Sequence, residues 1–212
     1  MGPGGTQILL VAVFGVLHLI GHYRGHDGLW RLCKGMPIAV LAMGAALSPA
    51  AVAEPYRWAV VLALTASLAG DLFLLTPGGF RRGLASFFVA HLLYVAAFLS
   101  GPWAPPPLAW GLGVGLPAAL LLARLWGHLG RERVRVAVYV SVIGVMAWTA
   151  AGRAEVAVPG AGLALVGAAI FIVSDATLAF DRFVTRFRSA HFVVMVTYYT
   201  AQSLLARSVV VP

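Results

Sequence analysis

Charged side chains are scarce in this chain of 212 residues, in which Asp, Glu, Lys and Arg together make up 10%. Hydrophobic residues make up 61%, and the mean hydropathy is +0.91. This composition is typical of polytopic membrane proteins, and no stretch is long and polar enough to form a soluble domain. The sequence therefore predicts one integral membrane domain over residues 1–212.

Several kinds of site are excluded because their residues are missing. Cys33 is the single cysteine, which excludes an internal disulfide. HExxH, GxSxG, P-loop and CxxC motifs do not occur, and the basic residues lack the interleaved aromatics of a nucleic-acid surface. The N-terminus has no basic segment followed by a small-residue cleavage site, so no cleaved signal peptide is expected.

Long apolar runs recur along the whole chain and are separated by turn-forming residues. They predict an all-α bundle of eight transmembrane helices, although the second run is short for a bilayer. The runs cover Thr6–His22, Met36–Leu47, Tyr56–Leu75, Leu84–Ser100, Leu108–Leu125, Val134–Ala151, Gly160–Phe180 and Ala190–Ser208.

The basic residues are unevenly divided between the two sides of this predicted bundle. Alternate loops and the helix ends beside them carry most of the 15 basic residues. The positive-inside rule then places these loops in the cytoplasm and both termini outside it. The residues on this side are Arg24, Arg31, Lys34, Arg81, Arg82, Arg124, Arg131, Arg133, Arg135, Arg182, Arg186 and Arg188.

Two carboxylates lie within apolar, membrane-length segments. Asp71 is in the third run and Asp175 in the seventh, each about one turn before the cytoplasmic end of its helix. An ionised carboxylate in hydrocarbon costs about 2.5–3.5 kcal/mol, so an intramembrane Asp indicates a functional site. Because both lie at a similar depth, we predict that they form a pair. Their sequence surroundings are also alike, which raises a 4+4 parallel duplication as one interpretation.

Other polar residues recur at helical spacing within the membrane. His91 and Tyr94 share one face of the fourth run, and Tyr198 and Gln202 share one face of the eighth. Such residues line a catalytic site or tie helices together by hydrogen bonds, and the sequence leaves both interpretations open. Lys34 is either an interfacial lysine that snorkels to water or a ligand for a phosphate group.

Two further patterns are weaker. His18, His22 and His26 are spaced like zinc ligands on a helix, but Gly21 and Gly25 interrupt the helix, and no metal site is predicted. Gly111 and Gly115 form a GxxxG pattern that suits close helix packing and leaves a homodimer open.

Several short segments, in their order along the chain, resemble those of the lysoplasmalogenase family of YhhN-type membrane proteins. The similar pieces are Lys34-x-x-Pro37, GDLFLL with Asp71, AHLLYVAAF with His91 and Tyr94, Tyr139 and Met146, SDATLAFDRF with Ser174 and Asp175, and TYYTAQ with Tyr198, Tyr199 and Gln202.

The resemblance implies an eight-helix hydrolase of the vinyl ether bond of lysoplasmalogens, which yields a fatty aldehyde and glycerophosphoethanolamine or glycerophosphocholine. It implies no cofactor and no partner other than the lysophospholipid drawn from the membrane. The catalytic residues would be Asp71 and Asp175. The substrate-binding residues would be Lys34, His91, Tyr94, Ser174, Tyr198, Tyr199 and Gln202.

The chemistry of a vinyl ether suits two intramembrane acids. Protonation of its β-carbon gives an oxocarbenium ion, which needs one acid in the protonated form and one carboxylate to stabilise the positive charge. Which Asp is the acid does not follow from the sequence. Two other classes stay open: a proton-coupled transporter with Asp71, Asp175, His91 and His191 as a relay, and a non-catalytic lipid-binding protein whose acids form buried ion pairs.

Overall fold

A computed structural model describes residues 3–48 and 52–210 and consists of α-helices joined by short loops. This confirms the predicted all-α polytopic bundle. The helices are α1 (Pro3–Arg24), α2 (Asp27–Lys34), α3 (Met36–Ala46), α4 (Glu54–Leu74), α5 (Phe80–Leu99), α6 (Leu108–Trp126), α7 (Arg133–Glu155), α8 (Ala161–Phe183) and α9 (Ala190–Arg207), with a 3₁₀ turn at Gly130–Glu132.

Each of the eight predicted apolar runs corresponds to one helical segment. Within the described residues, seven segments are long and apolar enough to cross a membrane, and α2 and α3 together form one of them, Asp27–Ala46. The eighth run is α9, which has 18 residues and is more polar because it carries His191, two tyrosines and Gln202. The 4+4 duplication stays a prediction.

The second span differs from its predicted extent because it has two parts. The apolar run begins at Met36, but the helical segment begins at Asp27. Pro37 lies in the first turn of α3, where its missing N–H leaves no bond unmade, and Gly35 joins the two helices. Lys34, at the end of α2, is only 7% exposed, so it does not snorkel to water.

The core lies between two helical hairpins. Helices α4 and α5 form one close pair, α8 and α9 form the other, and α9 also contacts α1, α3 and α4. Helix α6 is peripheral: it packs on α7 and α8, and Leu125 is its buried residue. Because successive helices run in opposite directions, Arg24, Arg81, Arg124 and Arg182 lie at one end of the bundle, which we call the basic end.

Gly70 allows α4 and α5 to approach closely beside Asp71. A Cβ added at Gly70 would lie 2.8 Å from the ring of Phe87. That ring cannot move freely, since it packs edge-on against Tyr198 with a centroid distance of 5.8 Å. We expect Gly70→Ala to lower the free energy of unfolding by about 1–3 kcal/mol, measured by thermal unfolding in detergent.

Gly113→Ala is the matched control for this substitution. Gly113 is also in a helix interior, but an added Cβ would meet no atom within 4 Å. We expect Gly113→Ala to unfold at or above the wild-type temperature, because alanine favours a helix. Equal midpoints for the two variants would contradict the close packing at Gly70.

Candidate functional site

Asp71 is fully buried and has a charged partner. Its Oδ2 accepts a hydrogen bond of 2.8 Å from the Tyr198 hydroxyl, and its Oδ1 lies 3.9 Å from the Lys34 Nζ. Both side chains of the ion pair are shielded from solvent, with exposed fractions of 1% and 8%. Lys34 therefore contacts an acid of α4, and its role as a phosphate ligand stays a prediction.

Asp175 has a different set of partners. Its Oδ2 accepts a hydrogen bond of 2.9 Å from the Tyr139 hydroxyl of α7 and lies 3.5 Å from the His91 Nε2 of α5. The Asp175 side chain is 13% exposed, whereas His91 is almost completely buried. Three helices thus converge on this carboxyl group.

The hydrogen bonds of His91 indicate where a proton lies. Its Nδ1 is 2.6 Å from the backbone oxygen of Phe87, and a carbonyl only accepts, so Nδ1 carries a hydrogen. Nε2 has no hydrogen-bond partner within the described residues and faces the carboxyl of Asp175. A lone pair against a carboxylate oxygen would be repulsive, so we infer that this contact holds one proton, on Asp175 or on Nε2.

The ring of Phe171 contacts one partner of each acid, His91 beside Asp175 and Tyr198 beside Asp71. Phe171 packs edge-on against His91 at a centroid distance of 4.7 Å and against Tyr198 at 5.7 Å. Within residues 3–48 and 52–210, no hydrogen bond or ion pair joins Asp71 to Asp175. The two acids thus lie in neighbouring polar clusters, and their joint action in one catalytic step stays a prediction.

An apolar cavity of about 190 Å³ opens onto Asp175. It lies between α5, α6, α7 and α8, and its walls are mainly Leu, Val, Ile, Ala and Phe side chains. Among the described residues that line it, Asp175 and Tyr139 supply the polar side-chain atoms, while Phe80 and Phe183 line it at the basic end. Asp71 is not among these lining residues, so Asp175 is the acid that a ligand in this cavity would reach.

The other predicted binding residues make hydrogen bonds between helices. The Tyr94 hydroxyl donates to the Gln202 side-chain oxygen, and the Ser174 hydroxyl donates to the Val194 carbonyl over 3.2 Å. The Tyr199 hydroxyl donates to the Lys34 carbonyl over 2.8 Å. None of these donors lines the described cavity, and their role in substrate binding stays a prediction.

The histidines near the basic end of α1 form a cluster with His191. His18 Nε2 lies 3.0 Å from His191 Nε2, and the ring of His22 stacks on His191 with a centroid distance of 3.7 Å. The His18 Nδ1 donates to the Trp30 carbonyl over 2.8 Å. Within the part of the chain that the structure describes, no three His, Cys, Asp or Glu side chains are placed to hold a metal ion.

Tyr139 was among the pieces that carry the family resemblance, but it was not predicted as a site residue. Its hydroxyl is the donor closest to Asp175, and its ring packs edge-on against His91 at 5.4 Å. The signal that could have identified it is a tyrosine within a mainly apolar span, near the basic end of the bundle, as Asp175 is.

Comparison with known proteins gives the family of the chain. Residues 29–209 match the sequence model described as the YhhN family. The chain belongs to the YhhN family. This match confirms the resemblance found in the sequence.

Relatives of this YhhN family member include bacterial and animal proteins. Rat "Lysoplasmalogenase TMEM86B" is 39% identical over 178 residues, which cover 84% of this chain and 71% of the relative. Bovine "Lysoplasmalogenase TMEM86A" is 36% identical over 173 residues, 74% of this chain and 67% of the relative. The "Uncharacterized membrane protein YhhN" of Escherichia coli O157:H7 is 28% identical over 210 residues, 95% of this chain and 97% of the relative. No solved structure matches the chain.

Proposed function

We propose that this YhhN family member is a membrane-embedded hydrolase that cleaves the vinyl ether bond of lysoplasmalogens to a fatty aldehyde and glycerophosphoethanolamine or glycerophosphocholine. One observation carries the proposal: the Asp175 carboxyl group, 3.5 Å from the buried His91 imidazole, lines an apolar intramembrane cavity. The names of the rat and bovine relatives support the same activity.

The Asp175–His91 contact supplies the acid of the first step. Its proton passes to the β-carbon of the vinyl ether, and the α-carbon becomes an oxocarbenium ion bonded to the ether oxygen. The carboxylate left on Asp175 faces this cation in a cavity of low polarity, where an opposite charge stabilises it strongly. The Tyr139 hydroxyl keeps that carboxylate in place.

The same group acts as the base in the second step. Water adds to the oxocarbenium carbon, and its released proton returns to Asp175 or His91. In the resulting hemiacetal the bond to the glycerol oxygen breaks, the hydroxyl proton of the hemiacetal passes to that oxygen, and the aldehyde leaves. The reaction balances with one water consumed, and Asp175 ends in its starting state.

Asp71 has the other role. Its Oδ1 lies 3.9 Å from the Lys34 Nζ, and its Oδ2 accepts a hydrogen bond from the Tyr198 hydroxyl, so we assign to Asp71 the negative charge that the mechanism needs. Its hydrogen-bond partner Tyr198 packs on Phe171, which packs on His91, and its negative charge adds to the potential that stabilises the oxocarbenium ion. In this proposal the two acids have different roles: Asp175 donates a proton, and Asp71 supplies a negative charge.

The cavity also suggests the leaflet from which the lipid enters. Phe80 and Phe183, which line it, begin α5 and end α8 at the basic end. The positive-inside rule assigns this end to the cytoplasm. We propose that the lysolipid enters from the cytoplasmic leaflet and that both termini lie on the opposite side of the membrane.

The test of this function is a product assay with purified protein in lipid nanodiscs. We expect fatty aldehyde from 1-alkenyl lysophosphoethanolamine and no fatty acid from the 1-acyl counterpart, because an ester has no vinyl carbon to protonate. Absence of aldehyde, together with proton flux in liposomes, would instead favour a proton-coupled transporter.

A further inference from the structure

Arg182 lies beside the cavity at its basic end. Its guanidinium carbon is 4.7 Å from the centroid of the Phe80 ring, and that ring lines the cavity. Phe80 in turn packs edge-on against Phe183, another lining residue, at 6.1 Å. A cation that stacks on an aromatic wall is held in position with its N–H groups still free to bind an anion.

Two other arginines at this end already have a carboxylate partner. Arg81 and Arg135 both pair with Glu132, at 2.7 and 2.8 Å. Asp181, which precedes Arg182, accepts a hydrogen bond from the Phe187 backbone. Within the described residues Arg182 has no carboxylate partner, so its charge is available to a ligand.

Helix geometry places Arg182 and Asp175 on the same face of α8. Their separation of seven residues is close to two full turns, about 10 Å along the axis. In an extended 1-alkenyl lysophospholipid, seven bonds separate the vinyl β-carbon from the phosphorus atom. Seven bonds of a fully extended chain span about 8–9 Å. A lipid with its vinyl ether at Asp175 therefore has its phosphate within reach of the Arg182 side chain.

We propose that Arg182, stacked on Phe80, binds the phosphate of the lysophospholipid whose chain occupies the Asp175 cavity. This assigns to Arg182 the role that the sequence suggested for Lys34, whose ammonium group is engaged with Asp71. The assignment of the vinyl ether to Asp175 rests on the proposed function, but phosphate binding by Arg182 is measurable without hydrolysis.

The kinetic test crosses two variants with two substrates. Arg182→Ala raises the KM for 1-alkenyl lysophosphoethanolamine about tenfold and leaves kcat within twofold, because a charge-assisted hydrogen bond to the bound lipid is lost. For 1-alkenylglycerol, which has no phosphate, Arg182→Ala changes the KM less than twofold. The control Arg186→Ala, an exposed arginine of the same end, changes neither substrate more than twofold. An equal loss on both substrates, or equal effects of the two variants, overturns the proposal.

A binding test separates this proposal from the proposed function. The probe is 1-alkyl lysophosphoethanolamine, which has no vinyl ether and cannot be cleaved, titrated into protein in nanodiscs. Wild type and Arg186→Ala bind it alike, and Arg182→Ala binds about tenfold more weakly. This result supports the Arg182 site even if the wild-type protein releases no aldehyde from the alkenyl lipid. Equal affinity of all three proteins, or no binding by the wild type, overturns it.

Discussion

Asp175→Asn almost abolishes aldehyde release, with kcat about 10³-fold below that of the wild type. Asparagine has the shape of aspartate and keeps an acceptor for the Tyr139 hydroxyl. It cannot share an acidic proton with His91 Nε2 or receive one from water. The lysolipid still binds, because the walls of the cavity are unchanged, so the KM moves much less than kcat. Stopped aldehyde assays over a range of lipid concentrations give both constants.

Glu155→Gln is the matched control, since Glu155 is an exposed carboxylate at the opposite end of α7 from the cavity. We expect it to retain wild-type turnover. The unfolding temperature of Asp175→Asn should stay close to that of the wild type, which excludes misfolding as the cause. Near-normal turnover by Asp175→Asn would remove the acid from the proposed mechanism.

The helices could be predicted because apolar length alone determines which segments cross a bilayer. The similar depth of Asp71 and Asp175 was predicted from the ends of the apolar runs, but α4 ends at Leu74, soon after Asp71, whereas α8 continues to Phe183, well beyond Asp175. The direction in which each carboxyl group points could not be predicted by counting residues. It depends on how α4 packs against α5 at Gly70 and on how Phe171 packs against His91 and Tyr198, which contact the two acids.

The environment of Lys34 also could not be predicted from the sequence. Its position near a helix end is equally suited to an interfacial lysine and to a buried one. Lys34 is buried because α2 ends before Pro37 and because Asp71 on the neighbouring α4 supplies a negative partner. The cavity could not be predicted from the sequence. One of its walls is α6, and this helix buries little of its own surface, so its position depends on how it packs against α7 and α8.

Asp71→Asn has its main effect on stability. The substitution leaves the Lys34 ammonium group buried without a negative partner, and breaking a buried ion pair in this way costs about 3–5 kcal/mol. We expect unfolding in detergent at a much lower temperature, and hydrolysis by the protein that stays folded should also be slower because the Asp71 charge is missing. The control is Glu54→Gln, which breaks the exposed pair with Arg57 and should cost at most about 1 kcal/mol. A stability loss no larger than that of the control would contradict a buried ion pair.

The double variant Lys34→Met/Asp71→Asn separates the structural effect of Asp71 from its effect on catalysis. Removing both charges leaves no uncompensated ion, so stability should return to within about 1–2 kcal/mol of the wild type. In that folded protein the acid at Asp175 is intact, and the missing element is the Asp71 carboxylate, whose partner Tyr198 packs on Phe171. We expect kcat about tenfold below the wild type, the size of a charge effect that acts through a layer of rings. Full recovery of kcat would make Asp71 a partner of Lys34 alone and leave Asp175 as the one acid that hydrolysis requires.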